Sequence, residues 1–341
     1  MVSITTKEIT DISVWENFLS AHEEANFLQS WYWGAFHERL YQTISRIGFY
    51  RENQLVGVVL AVVEDAKRGR YLTVPGGPII SWEDRDVIDA FVETIKTLAR
   101  THRCVFVRVR PQLTSSDHSK QLFREHGFRD APMHLHAQLT SELDITKTLD
   151  ELSSNLRKTT RYEIKKARNE GIVVSSTANP TAIQSFYDLQ MKTAKRQGFV
   201  PFSYKYLYEQ FCVFSEVGHA LLYSAHLNNA LLAQAFIIFY GTEAVYHYGA
   251  STDEGRRHPG AYLLQWEAIE EAKRRGVKKY NFWGVAPLDQ PHHRFYGVSV
   301  FKRGFGGEEV SYLHAKDLVI NPILYTFASS VELIRKKLRH V

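Results

Sequence analysis

Apolar positions along the chain follow the same order of periodicities twice. In the first half, mostly apolar runs predict strands in RENQLVGVVLAVVED and GRYLTVPGGPII, helical spacing predicts a helix over 84–102, and CVFVRVRP predicts a returning strand. In the second half, the same features predict strands in ALLAQAFIIFY and AVYHYGAS, a helix from Gly260 to Arg275, and a returning strand in KKYNFWGV. The chain therefore contains an internal structural repeat.

Each repeat consists of two antiparallel strands, a helix and a further strand, which is the core arrangement of a GNAT acyltransferase domain. The predicted fold class is α/β, of mixed α+β type, with two tandem GNAT-like domains. The boundary is expected near Asp144, after a strand in HLHAQLTSELDI and before a helix from Leu149 to Gly171. Because a fold does not define a reaction, the function must come from particular residues.

The composition is typical of a globular protein that stays in the cytosol. The chain has 341 residues, of which 44% are hydrophobic and 23% charged, and it contains no apolar run long enough to span a bilayer. Its N-terminus lacks the basic start and apolar stretch of a secretion signal. Cys104 and Cys212 each lie in an apolar run, which predicts buried thiols rather than a disulfide. The net charge of +5 favours anionic partners.

The segment LSSNLRKTTRYEIKKARNEG predicts a helix with one strongly basic face. The cationic positions at helical spacing are Arg157, Arg161, Lys165 and Arg168. Two glutamates offset six basic residues in this segment, so the face favours a polyanion such as an RNA backbone. A solvated charged face is the alternative interpretation.

A strand, a loop rich in arginine and glycine, and a helix follow one another from Tyr246 to Arg275. The N-terminus of such a helix directs backbone N–H groups and a positive dipole end towards an anion, and Arg256 and Arg257 precede it. A phosphate-bearing substrate is one interpretation. An ordinary turn with solvated arginines is the other.

The last helix is predicted to begin at Asn321 and Pro322, with one apolar face and several cations at its end. A helix packed on the protein is the preferred interpretation, because cations in a last turn compensate the helix dipole. A helix bound to a membrane surface is the alternative.

Several segments, in a fixed order, carry a resemblance to a known family: RKTTRYEIKKARNEG, YHYGAS, HPGAYLLQWEAIEEAKRRG, YNFWGV and FKRGFGG. They resemble the Fem (FemABX) family of peptidoglycan aminoacyltransferases, and QSWYWGAFHERL and YLTVPGGPII extend the likeness towards the N-terminus. The resemblance implies transfer of an amino acid from aminoacyl-tRNA to the side-chain amine of the stem peptide in a peptidoglycan precursor, nucleotide-linked or lipid-linked. It also implies a compact member without a helical arm, and no cofactor, since acetyl-CoA is not used.

The resemblance further implies a division of work between two domains. Residues 1–145, completed by the C-terminal helix in 317–341, would form the first domain, on the precursor side. Residues 146–316 would form the second domain, on the aminoacyl-tRNA side. The expected tRNA-binding residues are Arg157, Arg161, Lys165, Arg168, Arg256 and Arg257. A peripheral contact with the inner face of the membrane is a further expectation.

Particular residues match functional positions of the family. Lys302, with Phe301 beside it, matches the lysine that neutralises the tRNA phosphate or the developing oxyanion, so both are expected catalytic residues. Tyr246, Tyr248 and Tyr206 match tyrosines that line the peptide-binding channel between the domains. Alternation along a strand predicts that Tyr246 and Tyr248 point to one face.

Three positions depart from the family pattern. His37 stands where the compact type often has a lysine that contacts the diphosphate of the precursor, Phe202 stands where arginine is usual, and Asn281 replaces Asp. Lys205 compensates for the missing lysine and arginine in one interpretation, and a lipid-linked acceptor explains their absence in the other. His37 and Lys205 are included among the expected substrate-binding residues.

Two other functions fit part of the sequence. An acetyl-CoA-dependent N-acetyltransferase would place Arg257, Gly260 and Tyr262 in its pyrophosphate loop, where the bulk of Tyr262 argues against CoA. A noncatalytic RNA-binding or membrane-surface protein on the same fold is favoured by the three departures. The adjacent His292 and His293 lack a third ligand at suitable spacing, so no metal site is predicted.

Overall fold

The computed structural model describes residues 3–133 and 136–339 of the chain. Within these residues, the strands are β1 (Thr5–Glu8), β2 (Ile44–Arg51), β3 (Gln54–Ala66), β4 (Gly69–Pro75), β5 (Ile79–Ile80), β6 (Phe106–Arg110), β7 (Arg129–Asp130), β8 (Leu139–Asp144), β9 (Val173–Thr177), β10 (Ala220–Leu227), β11 (Ala230–Tyr240), β12 (Glu243–Ser251), β13 (Lys279–Gly284), β14 (Glu308–Ser311) and β15 (Lys316–Val319). The helices are α1 (Ile12–Ser20), α2 (Trp31–Arg39), α3 (Arg85–Thr101), α4 (Asp117–Glu125), α5 (Leu149–Asn155), α6 (Lys158–Asn169), α7 (Ile183–Gln197), α8 (Tyr204–Ser215), α9 (Gly260–Arg274), α10 (Tyr296–Arg303) and α11 (Pro322–Arg339). In the part of the chain that is described, no helix has the length and apolar content needed to cross a bilayer.

The chain divides into two compact units. Unit 1 contains the residues up to Gln138 and those from Ser311 onward, and unit 2 contains Leu139–Val310. The predicted boundary at residue 145 is therefore too late, because β8 pairs antiparallel with β13 and belongs to the sheet of unit 2. The predicted return to the first domain at residue 317 is also too late, since the backbone N–H of Tyr312 already bonds to Gln138.

Unit 1 is built on a mixed sheet with the strand order β1-β2-β3-β4-β6-β15-β7, and β5 pairs with β3. One face carries α3, whose apolar positions Phe91 and Ile95 are buried against strand residues such as Leu72. Unit 1 has a second cluster of buried residues, in which Tyr325 of α11 packs edge-on against Phe106 of β6. Each large apolar side chain buried in this way contributes about 1.5–3 kcal/mol.

Unit 2 is built on a sheet with the strand order β14-β8-β13-β12-β11-β10-β9. The β12–β13 pair is parallel, as expected for two strands joined through the crossover helix α9. Ile164 of α6 and Ile269 of α9 lie in one core cluster with Phe282 of β13. Helix α8 contributes Phe211, which contacts Phe236 of β11 edge-on outside that cluster. The two sequence repeats thus correspond to β3, β4, α3 and β6 in unit 1 and to β11, β12, α9 and β13 in unit 2.

The single helix predicted from Leu149 to Gly171 is wrong, because the structure has two helices, α5 and α6. Leu156 and Arg157 adopt extended backbone conformations, and the side chain of Leu156 enters the core of unit 2. The polar run Ser153–Asn155 favours this interruption, since short polar side chains compete for backbone hydrogen bonds inside a helix. The basic face predicted for the long helix therefore lies on α6 and on the residue before it.

Candidate active site

The sheet of unit 2 opens where two neighbouring parallel strands diverge. β12 and β13 pair at three successive positions, from Glu243 opposite Lys279 to Val245 opposite Asn281. Both strands continue beyond this point without further pairing to each other among the described residues. The divergence leaves backbone N–H and C=O groups of the two strands available to a side chain or a ligand.

The side chain of Lys302 extends from α10 to these diverging strands. Its Nζ atom donates a hydrogen bond of 2.8 Å to the carbonyl of Gly284, the last residue of β13, and lies 5.5 Å from the ring centroid of Tyr246 on β12. The Lys302 side chain is buried, and no carboxylate of the described residues forms an ion pair with it. Burial without a counter-charge lowers the pKa of Lys302 to about 7. A buried lysine with a shifted pKa beside an opening in a sheet is typical of a functional site.

The carbonyl of Gly284 follows a left-handed backbone conformation at Trp283. Trp283 has a φ of +62°, which costs a bulky residue about 1–3 kcal/mol. The Oδ1 atom of Asn281 accepts a hydrogen bond of 2.7 Å from the Trp283 N–H and so stabilises this turn. The Nδ2 group of Asn281 donates to Glu243 at 2.9 Å and to Glu142 at 3.3 Å. An amide suits this buried position, because an aspartate would stand beside two carboxylates.

Helix α10 is held against the start of α6 by a glycine of FKRGFGG. The carbonyl of Gly304 accepts a hydrogen bond of 2.9 Å from the Arg157 N–H. A Cβ atom at Gly304 would overlap the hydroxyl of Thr160, a buried residue of α6, so a larger residue would push the two segments apart. This contact brings Lys302 and the basic residues of α6 into the same part of unit 2.

Phe301 is packed against aromatic neighbours. Its ring centroid lies 4.8 Å from that of Tyr262 and 5.4 Å from that of Phe305, next to the core of unit 2. These contacts fix the position of α10. Of the two residues expected to be catalytic, Lys302 places a buried amine beside the diverging strands, and Phe301 packs against aromatic rings.

A β-bulge separates the two tyrosines of YHYGAS. Tyr248 pairs with Phe236 of β11, and Tyr246 pairs with the next residue, Ile237, so His247 is the extra residue of the bulge. Tyr246 therefore packs beside Ile237 and the core cluster, whereas Tyr248 contacts Phe236. The prediction that Tyr246 and Tyr248 share a face is wrong, because regular alternation does not continue through a bulge.

Three aromatic residues form a cluster next to α8, which we call the α8 aromatic cluster: Phe202, Tyr206 and Tyr248. Phe202 stacks on Tyr206 with a centroid distance of 4.7 Å and contacts Tyr248 at 5.1 Å. Burial, together with the hydrogen bond that the Tyr248 hydroxyl donates to Tyr206, keeps the pKa of Tyr248 well above its usual range. The Tyr248 hydroxyl is consequently a hydrogen-bonding group without charge at neutral pH. Phe202, at the position where arginine is usual, completes this cluster.

His247 and Gln210 adjoin the cluster, and no sequence motif predicts a role for either. The Nε2 group of Gln210 donates a hydrogen bond of 3.1 Å to Nε2 of His247. The His247 ring lies edge-on to Trp283 with a centroid distance of 5.6 Å, which links β12 to β13 where the two strands diverge. Burial lowers the pKa of His247 to about 3, so the imidazole is neutral. The sequence signal for His247 is its position inside the segment YHYGAS, which carries part of the family resemblance.

His37 lies in α2 of unit 1 and is buried. Its Nδ1 atom is 2.6 Å from Oε1 of Gln42, and its ring contacts Trp33 and Phe36. Burial lowers the pKa of His37 to about 4, so this side chain does not supply the positive charge of the lysine that it replaces. Lys205 lies in the first turn of α8 in unit 2 and is exposed.

The basic positions lie on the surface of unit 2. Exposed side chains of α6 and of the residue before it are Arg157, Arg161, Lys165 and Arg168. Arg168 is 3.7 Å from Glu270, and no described carboxylate forms an ion pair with Arg161 or Lys165. Tyr162 is exposed on the same helix, so an aromatic ring accompanies the cations.

Arg256 and Arg257 are also exposed, just before α9. Arg257 lies 3.7 Å from Glu254. A Cβ atom at Gly255 would overlap the carbonyl of Leu232, so this glycine permits close packing of the loop on β11. Both arginines therefore lie at the surface, and Gly255 is needed because the loop packs closely on β11.

Comparison with known proteins identifies the family. The FemAB family matches residues 9–126, 124–231 and 222–332 of the chain. The chain belongs to this family. Two relatives, the aminoacyltransferases FemA of Staphylococcus aureus strains bovine RF122 / ET3-1 and MRSA252, are each 21% identical over 83% of this chain and 87% of their own length. This FemAB-family membership confirms the predicted family and the predicted enzyme class.

Solved structures agree with this assignment at the level of the fold. The crystal structure of FemX has a TM-score of 0.84 at 17% identity and covers 94% of this chain and 99% of its own. A tandem GNAT protein from the clavulanic acid biosynthesis pathway has a TM-score of 0.60 at 11% identity, with 94% and 99% covered. The predicted fold of two GNAT-like domains is confirmed. In the described residues between α6 and α9, the helices α7 and α8 are short, so this FemAB protein is of the compact type.

Proposed function

We propose that this FemAB protein transfers an amino acid from aminoacyl-tRNA to the side-chain amine of the stem peptide of a peptidoglycan precursor, in the cytoplasm. The observation that carries the proposal is the buried amine of Lys302 beside the diverging strands β12 and β13. Membership of the FemAB family supports the reaction class, and the site supplies the chemistry.

The reaction is aminolysis of an ester. The neutral acceptor amine attacks the carbonyl carbon of the aminoacyl group, and a C–N bond forms while negative charge builds on the carbonyl oxygen. The C–O bond to the tRNA ribose then breaks, and the proton of the amine passes to the ribose oxygen. An ammonium at Lys302 stabilises either the oxyanion or the terminal phosphate of the tRNA, a contribution of about 3 kcal/mol for one well-placed donor.

The basic residues of α6 support a tRNA donor. Arg161 and Lys165 are exposed, and Arg157 bonds through its backbone to Gly304, close in sequence to Lys302. One end of a polyanion bound along α6 would therefore lie near Lys302. Tyr162, exposed between these cations, provides a ring on which an unpaired base can stack.

The α8 aromatic cluster supports a peptide acceptor. The hydroxyls of Tyr206 and Tyr248 offer hydrogen bonds to amide groups, and the exposed Lys205, next to Tyr206 in the sequence, offers a charge to an acidic group of the peptide. His37 and Phe202 bring no positive charge. These two positions favour a lipid-linked precursor over a soluble nucleotide-linked precursor, with unit 1 on the precursor side.

The direct test is transfer of radiolabelled amino acids from a panel of charged tRNAs to soluble and lipid-linked precursors, with acetyl-CoA as a competing donor. We expect transfer from at least one charged tRNA and none from acetyl-CoA. The ring of Tyr262 packs on Phe301, beside the loop that binds pyrophosphate in CoA-dependent enzymes. Transfer from acetyl-CoA alone would overturn the proposal, as would RNA binding without transfer to any acceptor.

A further inference from the structure

Helix α11 exposes several large apolar side chains on one face. Ile323, Phe327 and Ile334 recur at helical spacing and are 83%, 62% and 59% exposed. Leu324 and Leu333 flank this row and are also largely exposed. Large apolar side chains that are exposed singly are common, but a row along a whole helix indicates an interaction surface. We call these five residues the outer face of α11.

The opposite side of α11 is locked to unit 1 by polar contacts. Glu332 accepts a hydrogen bond of 2.8 Å from Arg108 and lies 2.6 Å from Arg68, and all of these contacts are largely buried. The hydroxyl of Tyr325 donates a hydrogen bond of 3.0 Å to Asp317. Because a buried carboxylate cannot leave its partners without a large cost, α11 cannot rotate to bury its outer face.

The charges around this face are positive. Arg335 and Lys336 lie in the last turns of α11, and Arg129 is exposed with its guanidinium 5.3 Å from the ring centroid of Tyr325. Glu332 is the acidic residue of α11, and its carboxylate is already occupied by two arginines. The outer face therefore combines exposed apolar side chains with cations and presents no acid of its own helix.

We propose that α11 binds the surface of an anionic membrane, with its axis in the plane of the interface and its outer face in the lipid. A surface helix with an apolar face and a cationic border binds through apolar burial and attraction to acidic headgroups together. A second copy of this chain fits less well, because its α11 would bring further cations and no exposed acid of that helix to meet Arg335 and Lys336. This proposal is independent of the aminoacyl transfer reaction.

The test is co-sedimentation of the full chain with vesicles of phosphatidylcholine, with and without 30% phosphatidylglycerol, an amount of about one lipid in three chosen to give an anionic surface. The test variant carries Ile323→Ser, Phe327→Ser and Ile334→Ser. The matched control carries Val173→Ser, Val200→Ser and Leu288→Ser, which change equally exposed apolar side chains of unit 2. A third variant, Arg335→Gln with Lys336→Gln, removes charge alone.

We expect the wild type and the control to bind anionic vesicles, and the α11 test variant to bind about tenfold more weakly. The charge variant should bind more weakly as well, and added salt should weaken the wild type. Thermal unfolding should be unchanged in the test variant, since the changed side chains are exposed. The proposal is overturned if the wild type does not bind anionic vesicles, or if the test variant binds as tightly as the control. A wild-type dimer in analytical ultracentrifugation that the test variant alone dissociates would likewise overturn it, in favour of self-association.

Discussion

The side-chain oxygen of Asn281 accepts a hydrogen bond from the backbone N–H of Trp283 and thereby stabilises the left-handed turn that precedes Gly284. Gly284 in turn accepts the hydrogen bond of Lys302. The position of the Lys302 amine therefore depends on Asn281, whose side chain bonds to Trp283, Glu243 and Glu142.

Two substitutions of Asn281 test whether the turn at Trp283 positions the amine of Lys302. Asn281→Ala removes the acceptor for the Trp283 N–H, so we expect a lower kcat, by about tenfold, with a loss of stability of about 1–3 kcal/mol. Asn281→Asp keeps the acceptor but adds a third carboxylate, so it should retain more activity per folded molecule than Asn281→Ala. Single-turnover rates and urea unfolding of both variants provide the measurement. Equal kcat in Asn281→Ala and the wild type would show that the turn does not position Lys302.

The pKa of Lys302, about 7, predicts a pH dependence of transfer. Because burial lowers this pKa, the ammonium form is present below pH 7 and is lost as the pH rises above it. If the charge stabilises the oxyanion or phosphate, kcat/KM of the wild type, relative to that of Lys302→Arg, which stays charged, should fall about fivefold from pH 7 to pH 8 and about tenfold for each further pH unit. The ratio of the two profiles cancels the titration of the acceptor amine. A ratio that rises with pH would instead identify Lys302 as a general base.

The same burial predicts a gain of stability when Lys302 is removed. The unfolded chain holds the proton of Lys302 up to its usual pKa of 10.5, whereas the folded protein releases it near 7. The buried amine therefore destabilises the fold fully below pH 7, and the penalty declines between pH 7 and 10.5. We expect Lys302→Met to raise the free energy of unfolding on the order of 2 kcal/mol at pH 6, after the loss of the bond to Gly284 is counted. Urea denaturation at pH 6 and pH 10 measures this; a destabilised variant at pH 6 would contradict it.

Charge reversal on α6 tests the proposed tRNA surface. Arg161→Glu with Lys165→Glu should weaken tRNA binding at least about tenfold and lower the salt dependence of the affinity, because two phosphate contacts are lost. Lys192→Glu with Lys195→Glu on α7, also exposed, is the matched control and should bind nearly as the wild type does. Filter binding at several salt concentrations is the measurement. Equal losses in both variants would indicate a general effect of net charge.

Much of the fold is predictable because its signals are local. Apolar runs predict the strands β3, β4 and β6 and their counterparts β11, β12 and β13, since these strands are largely buried, and helical spacing predicts α3 and α9, which bury apolar residues in a core. The exposure of Arg161 and Lys165 follows in the same way from helical spacing. The resemblance, and not periodicity, selects Lys302 as a candidate site residue, because its burial depends on contacts with residues distant in sequence, Gly284 and Tyr246.

The remaining features depend on packing that the local pattern of apolar and polar positions does not encode. The bulge at His247 reverses the direction of Tyr246 relative to Tyr248, and it is defined by pairing with β11. The break between α5 and α6 depends on the backbone contact between Arg157 and Gly304. The burial of His37 depends on Trp33, Phe36 and Gln42 around it, so its neutrality is a property of the folded unit.

The role proposed for Lys302 is tested by single-turnover transfer of a labelled amino acid from charged tRNA to the precursor amine, with wild type, Lys302→Ala and Lys302→Arg at pH 7. We predict a loss of about a hundredfold or more in Lys302→Ala, partial recovery in Lys302→Arg, and tRNA binding by both variants. Thermal unfolding of each variant serves as the control for folding. Transfer by Lys302→Ala at the wild-type rate, in a folded protein, would contradict the account.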